Sequence, residues 1–182
     1  LFRTTIRLTP SWQRKLSWTT ENRLQTGETG MVMRKADSED IDMLIQIRID
    51  FLVEDKGSLT EEEEHTIRSQ LAEYYLSHIN RDFIAMIAVI DDSVVSSVFL
   101  AVMERPANTV FLNGKTGTIH NVYTYPAFRK MGLASMLLDA VLKEARQMGV
   151  PSIELIATKV GEPLYDKIGF RKIDNAYMRL CL

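Results

Sequence analysis

With 182 residues, 46% of them hydrophobic and 25% charged, the chain has the size and composition of one globular domain that can bury its own core. A net charge of −2 excludes the broad basic field of a nucleic-acid binder, and no apolar run approaches the ~18 residues of a membrane span. The single cysteine, Cys181, excludes an intramolecular disulfide and argues against a cysteine-based metal site, so the expectation is a cytoplasmic protein with no metal, no membrane and no nucleic-acid partner.

Residues 1–30 differ from the rest. They carry cations and hydroxyls, no acidic residue before Glu21, and no apolar core of the kind a secretory signal needs. They read as an N-terminal extension, whether a leader or a cloning-derived stretch, with the functional domain running over 31–182; deleting them should leave a folded, active protein. From Met31 the pattern becomes regular. "MVMRKA" predicts a short strand, and "EDIDMLIQIRIDFL" places Ile41, Leu44, Ile45 and Ile49 at helical spacing. A second helix starts where Thr60 and Glu63 form a capping-box pattern ahead of "EEEEHTIRSQLAEYYLSHI". Carboxylates at Glu61 to Glu64 suit the positive end of that helix, and read as a solvated helix start rather than a polycation site.

"DFIAMIAVI" and "VVSSVFLAVM" predict two strands joined by a tight turn over Asp91, Asp92 and Ser93. A further strand follows a turn at Asn113-Gly114, runs through Thr124 and ends at Pro126. "GLASMLLDAVLKEARQMG" is the strongest helical pattern in the chain, stopped by Gly149 and Pro151. "SIELIAT" reads as a strand, "GEPLYDKIG" as a short helix and "FRKIDNAYMRLCL" as a final strand. Antiparallel strands followed by strand–helix units imply a mixed α/β sheet with helices on its faces. An exposed final strand would offer an edge for a homodimer.

One junction carries chemistry. Between the strand ending at Thr124 and the strong helix lies "RKMGLA", with Arg129, Lys130, Gly132 and Ala134. A helix N-terminus presents unpaired N–H groups and a partial positive charge, which suits a phosphate, and a glycine lets the main chain approach it. The turn therefore reads as a pyrophosphate cradle with two cations at its rim. On its own it serves equally as an ordinary strand-to-helix connection.

The same residues fit Arg/Gln-x-x-Gly-x-Gly/Ala, and the chain here resembles the GNAT superfamily of N-acetyltransferases, whose acetyl-coenzyme A signature this is. "VYTYPAFR" resembles the family's approach to that loop, and "IATKVGEPLYDKIGFRK" its closing strand, short helix and Gly-Phe. The resemblance covers 31–182. The departures are Lys130, where many members carry glycine, and Ala134 as the second small residue.

The resemblance implies a mixed, mostly antiparallel sheet splayed between the fourth and fifth strands of the domain. It implies an enzyme that moves an acetyl group from acetyl-CoA to a primary amine of a small molecule or protein, without metal. Main-chain N–H groups of Lys130, Met131, Gly132, Leu133, Ala134 and Ser135 would hold the pyrophosphate with Arg129 at the rim. Val122, Tyr123 and Thr124 would pair with the pantetheine arm. Tyr165 would protonate the departing thiolate, its phenol pKa of ~10 lying near that of a thiol. A main-chain N–H near Tyr123 would serve the oxyanion. His120 is the candidate base, its near-neutral titration suiting a proton acceptor. Strand alternation puts it on one face with Val122 and Thr124, and puts Asn121, read as structural, on the other; a hydrogen-bonded histidine of the sheet is the competing reading.

Asp50, Glu54 and Asp55 lie near where the family forms its acceptor wall, and could hold a cationic substrate or be surface charge. His65 and His78 lack a third ligand at metal spacing, and Met131, Met136 and Met148 read as packing residues. The rival to an enzyme is a non-catalytic acyl-CoA-binding sensor or regulatory module of the same fold; a hydroxyl acceptor is a third reading.

Overall fold

Each element of the chain forms where local rules demand it. The computed structural model describes residues 23–25, 30–174 and 178–181. Strand β1 (Arg23–Gln25) pairs antiparallel with β2 (Val32–Lys35). Helix α1 (Ile41–Lys56) follows a 3-10 turn capped by Asp37, and ends at Gly57. Helix α2 (Glu61–His78) has the expected capping box: Thr60 Oγ1 accepts the Glu63 N–H at 3.2 Å, and the Glu63 carboxylate accepts the Thr60 N–H at 2.8 Å.

Strands β3 (Phe83–Ile90) and β4 (Ser93–Glu104) form a hairpin whose turn residues Asp91 and Asp92 both have positive φ, 48° and 59°. Two positive angles match the twist of the flanking strands, and aspartate tolerates them. Strand β5 (Lys115–Thr124) pairs antiparallel with β4, and helix α3 (Leu133–Gln147) leads to β6 (Ile153–Glu154) and helix α4 (Glu162–Ile168). Helix α3 closes in a Schellman arrangement: Val150 N–H bonds Ala145 C=O at 2.9 Å and Gly149 N–H bonds Arg146 C=O at 3.0 Å.

The sheet order is β1-β2-β3-β4-β5-β6, antiparallel throughout except for the parallel pair β5–β6. That pair spans only Gly117↔Ile153 and Thr118↔Glu154. Beyond them β5 continues to Thr124 with no strand beside that edge among the described residues, so the sheet splays between these two strands as expected. Two cores cover its faces. On the α3 side Leu133, Leu137, Leu138 and Val141 pack on Val98, Leu100 and Ile119. On the α1/α2 side Leu44, Ile47, Tyr75 and Tyr123 pack on Phe83 and Phe99.

Three features differ from the sequence reading. Strand β1 draws three residues of the 1–30 segment into the sheet; the rest of that segment, Gly30 excepted, lies outside the described residues. The predicted strand over "SIELIAT" shrinks to Ile153–Glu154, because a strand exists only while it has a ladder and β5 diverges there. No strand forms among the described residues from Phe170 onward. A two-residue β6 offers too short an edge to template one, and Ile173, Met178 and Leu180 are exposed. The edge on which the dimer expectation rested is therefore absent from the described residues.

Candidate active site at the splayed edge

The junction between β5 and α3 turns on two left-handed residues. After the 3-10 turn Pro126–Phe128, Lys130 has φ of 64° and Gly132, the residue before α3, has φ of 82°. The first angle explains why glycine suits the Lys130 position: a Cβ there costs roughly 1–2 kcal/mol. Side chains on either side turn inward. Leu133 is buried and Met131 packs against the α3-side core, as do Met136 and Met148. No side chain caps α3. Among the described residues, the N–H groups of Lys130, Met131, Gly132, Leu133, Ala134 and Ser135 have no hydrogen-bond acceptor; the first helical bond is Met136 N–H to Gly132 C=O at 3.1 Å. Six consecutive donors are thus collected at a helix mouth where the dipole favours an anion.

Beside this mouth runs the open edge of β5, reshaped by a bulge. Phe99 pairs with His120 and Ser97 with Tyr123, so one extra residue is inserted in β5. Asn121, buried at the bulge, has φ of 49°, an angle asparagine tolerates. Its Nδ2 donates to Ser97 Oγ at 2.9 Å, and its Oδ1 accepts from Arg48 Nη1 at 3.3 Å.

The bulge overturns the expected alternation. Ile119 and Val122 both pack on the α3-side core, whereas Tyr123 belongs to the α1/α2 core. His120, paired with Phe99, lies on the α1/α2 face; so does the Asn121 side chain. His120 therefore does not share a face with Val122 and Thr124, because an inserted residue reverses the side chains beyond it.

Main-chain direction follows the same logic. Tyr125 N–H bonds Val95 C=O of β4 at 3.1 Å, and Tyr123 C=O accepts from Ser96 Oγ of β4 at 2.9 Å. Thr124 C=O faces the other way and accepts Arg129 Nε at 2.8 Å. Of the residues expected along the pantetheine arm, Thr124 looks to the open edge and Tyr123 looks toward β4.

The α1 wall stands over this part of β5. Arg129 Nη2 lies 2.6 Å from both carboxylate oxygens of Glu54, and its guanidinium sits 5.9 Å from the Tyr123 ring centre. The cation expected at the phosphate rim is thus held on α1. Tyr123 Oη donates to Glu54 Oε2 at 3.2 Å, and Tyr125 Oη donates to Asp50 Oδ2. Burial first, and then the adjacent carboxylates, raise both phenols above the ordinary tyrosine value. Asp55 stands at the rim of this wall: its Oδ2 lies 3.3 Å from Lys56 Nζ, and its charge is felt by Arg48.

The two candidate proton-transfer groups flank the sheet from opposite faces. Tyr165, on α4, is half-buried against the α3-side core, with its ring edge-on to Phe170 at 6.0 Å. Its hydroxyl has no hydrogen-bond partner among the described residues, and burial raises its pKa, so the phenol holds its proton at neutral pH. His120 is exposed at its edge but loses part of its hydration to surrounding protein. That loss, and then the Arg48 charge, lower its pKa and favour the neutral ring. Sequence reasoning missed Arg48, Tyr125 and the bulge. The i, i+4 spacing of Asp50 and Glu54 was a usable signal for the wall; the bulge had none. Among the described residues no cluster could hold a metal ion and no helix is long and apolar enough to cross a membrane. His78 Nδ1 lies 2.7 Å from Asp82 Oδ1.

Comparison with known proteins shows the family and the fold. The sequence model of the acetyltransferase (GNAT) family matches residues 43–170. A protein from Clostridium acetobutylicum, described as a predicted acetyltransferase and solved with acetyl-CoA, superimposes with a TM-score of 0.74 at 31% identity over 83% of this chain and 96% of its own. A GCN5-related N-acetyltransferase from Ralstonia eutropha shares the fold, with a TM-score of 0.71 at 19% identity over 83% of this chain and 99% of its own. A candidate acetyltransferase of Bacillus subtilis is 25% identical over 65 residues, which is 36% of this chain and 44% of that relative.

Proposed function

The chain belongs to the acetyltransferase (GNAT) family, and from that premise we propose that it transfers an acetyl group from acetyl-CoA to a primary amine. The observation that carries this reading is the run of acceptor-free N–H groups from Lys130 to Ser135 beside the open edge of β5. Those donors fit a pyrophosphate. The splayed edge has room for an extended arm that adds to the sheet through Val122 and Thr124. Acetyl-CoA would supply an activated acyl group on a thiol that leaves readily.

The chain's own groups then have three tasks. A main-chain N–H of β5 beside Tyr123 stabilises the oxyanion, at no reorganisation cost because the sheet holds it. Tyr165 gives its phenolic proton to the sulfur as the C–S bond breaks. Its raised pKa keeps that proton in place beforehand. His120 accepts the proton that the nitrogen loses as the N–C bond forms, and its lowered pKa keeps it neutral for that purpose. Solvent then restores both. Arg129, held by Glu54 and Thr124 C=O, positions the loop between the two sites.

The test is a titration with acetyl-CoA followed by thioester consumption across a panel of amines. Micromolar binding with turnover on some amine is the expected result. Binding without turnover on any amine or alcohol would favour a sensor module, and no binding would end the proposal.

A further inference from the structure

On the α1 face, two of the three acidic residues that looked available for a cationic acceptor are already occupied. Glu54 is held by Arg129 and Tyr123, and Asp50 by Tyr125 and by Gln46 Nε2 at 2.8 Å. A cation on this wall, by contrast, keeps hydrogen-bond donors unused. Arg48 lies one turn before Phe51 on α1, with its guanidinium 5.3 Å from that ring's centre. Only its Nη1 is bonded, to Asn121 Oδ1 at 3.3 Å, and no carboxylate lies within ion-pair distance of it among the described residues. A guanidinium has five N–H donors in a planar fork. No fully enclosed polar side-chain atom lacks a partner among the described residues, so the unbonded Nε and Nη2 of Arg48 reach solvent. The guanidinium is largely desolvated by the surrounding protein; its charge is felt by His120, and it feels the charge of Asp55.

We propose that Arg48 binds an anionic group of the acceptor, so that the substrate is a primary amine that also carries a carboxylate or a similar anion. This deepens the acetyl-transfer reading and rests on it for the amine. Arginine suits the task because its planar fork matches a carboxylate with two parallel hydrogen bonds, and partial burial strengthens them. The Asn121 contact holds the fork beside the bulge and orients it next to His120, the group assigned to receive the amine proton. A purely cationic acceptor, such as a simple diamine, would meet Arg48 unfavourably and find Glu54 and Asp50 occupied.

Matched acceptors test this on the whole protein: glycine, β-alanine and γ-aminobutyrate, each against its primary amide, compared at equal concentration of neutral amine. The acids should exceed the amides in kcat/KM by about tenfold or more. Arg48→Met should reduce that preference to within about twofold, Arg48→Lys should retain part of it, and thermal unfolding should confirm that both variants fold. Turnover with no acid-over-amide preference in the unsubstituted protein would overturn the proposal while leaving acetyl transfer intact. A second readout does not depend on turnover: perturbation of the Arg48 Nε–Hε and His120 ring NMR signals on adding acid or amide. If the acids perturb these signals, the amides do not, and no amine is acetylated, then anion binding stands and acetyl transfer falls. Equal or absent perturbation by both overturns the anion site.

Discussion

The two faces of the sheet are built differently. The α3 side is aliphatic: Leu133, Leu137, Leu138, Val141, Val98 and Leu100 make a core whose purpose is to hold a helix mouth in place. The donors proposed there for acetyl-CoA are main-chain N–H groups, which side chains do not supply. On that proposal Lys130 and Ala134 are compatible with the cradle, because neither side chain is needed to donate. The α1 side is aromatic and polar: Tyr123, Phe51, Tyr75 and Phe99 are interleaved with Arg48, Asn121, Asp50 and Glu54. On the proposed reading the side chains there recognise the acceptor, so each one should matter. The contrast suits a division of labour in which the backbone binds the proposed donor and side chains select the proposed acceptor.

Substitutions can break or sharpen that contrast. Tyr165→Phe should have the largest effect, lowering turnover about 100-fold or more while acetyl-CoA affinity changes little, because general acids contribute on that scale and the phenol is no part of the cradle. Steady-state kinetics beside a direct titration would separate the two, and full turnover would remove Tyr165 from the mechanism.

Asn121→Ala should cost about 2 kcal/mol of stability and about tenfold or more in kcat. It strips a buried cross-link between α1, β4 and β5 and places a less tolerant residue at positive φ. Asn121→Gly should recover part of the stability in denaturant titrations but not the turnover. Matching kcat values for alanine, glycine and asparagine at 121 would show that the bulge needs no clamp.

Lys130→Gly moves in the other direction. Relief of left-handed strain, less the entropy glycine adds to the unfolded chain, predicts a gain of under about 1 kcal/mol with acetyl-CoA binding retained. A weakened affinity would mean that the lysine ammonium, and not only the backbone, takes part in the cradle.

The smallest effect concerns His120. Its native pKa is lowered, chiefly by desolvation and then by Arg48. Above the unfolded value of ~6.5 the ring is neutral in both states and contributes no pH dependence. As pH falls below that value the unfolded chain takes up the proton first, so stability declines until the lower native pKa is passed. His120→Gln should flatten this part of the stability–pH curve, read by denaturant unfolding from pH 7 to 5. An unchanged slope would show that the ring titrates normally.

Much of this architecture was legible beforehand because it is local. The Thr60–Glu63 box, the Asp91-Asp92 hairpin turn, the Gly149 helix stop and the "RKMGLA" junction each depend on residues within a few positions of one another. The failures share the opposite property. Alternation placed His120 with Val122 because a pattern of period two carries no mark of an inserted residue; the bulge follows from how β4 and α1 hold Asn121. Arg129 read as a phosphate ligand because Glu54, seventy-five residues away, is invisible to any local window. The final strand was read from apolar residues that find no ladder among the described residues.

The amino-acid sequence by itself determined the order of helices and strands from β2 to α4, the glycine-bearing junction that leads into α3, and the family resemblance. Backbone angles and capping bonds are decided by near neighbours, so a short stretch of sequence suffices to specify them. Only the tertiary structure decided which face His120 occupies, what Arg129 holds, and that Arg48 keeps unbonded donors beside Asn121 while Glu54 and Asp50 are hydrogen-bonded elsewhere. Those outcomes depend on which distant side chains reach each charge first, and that competition is resolved only when the sheet and α1 pack together.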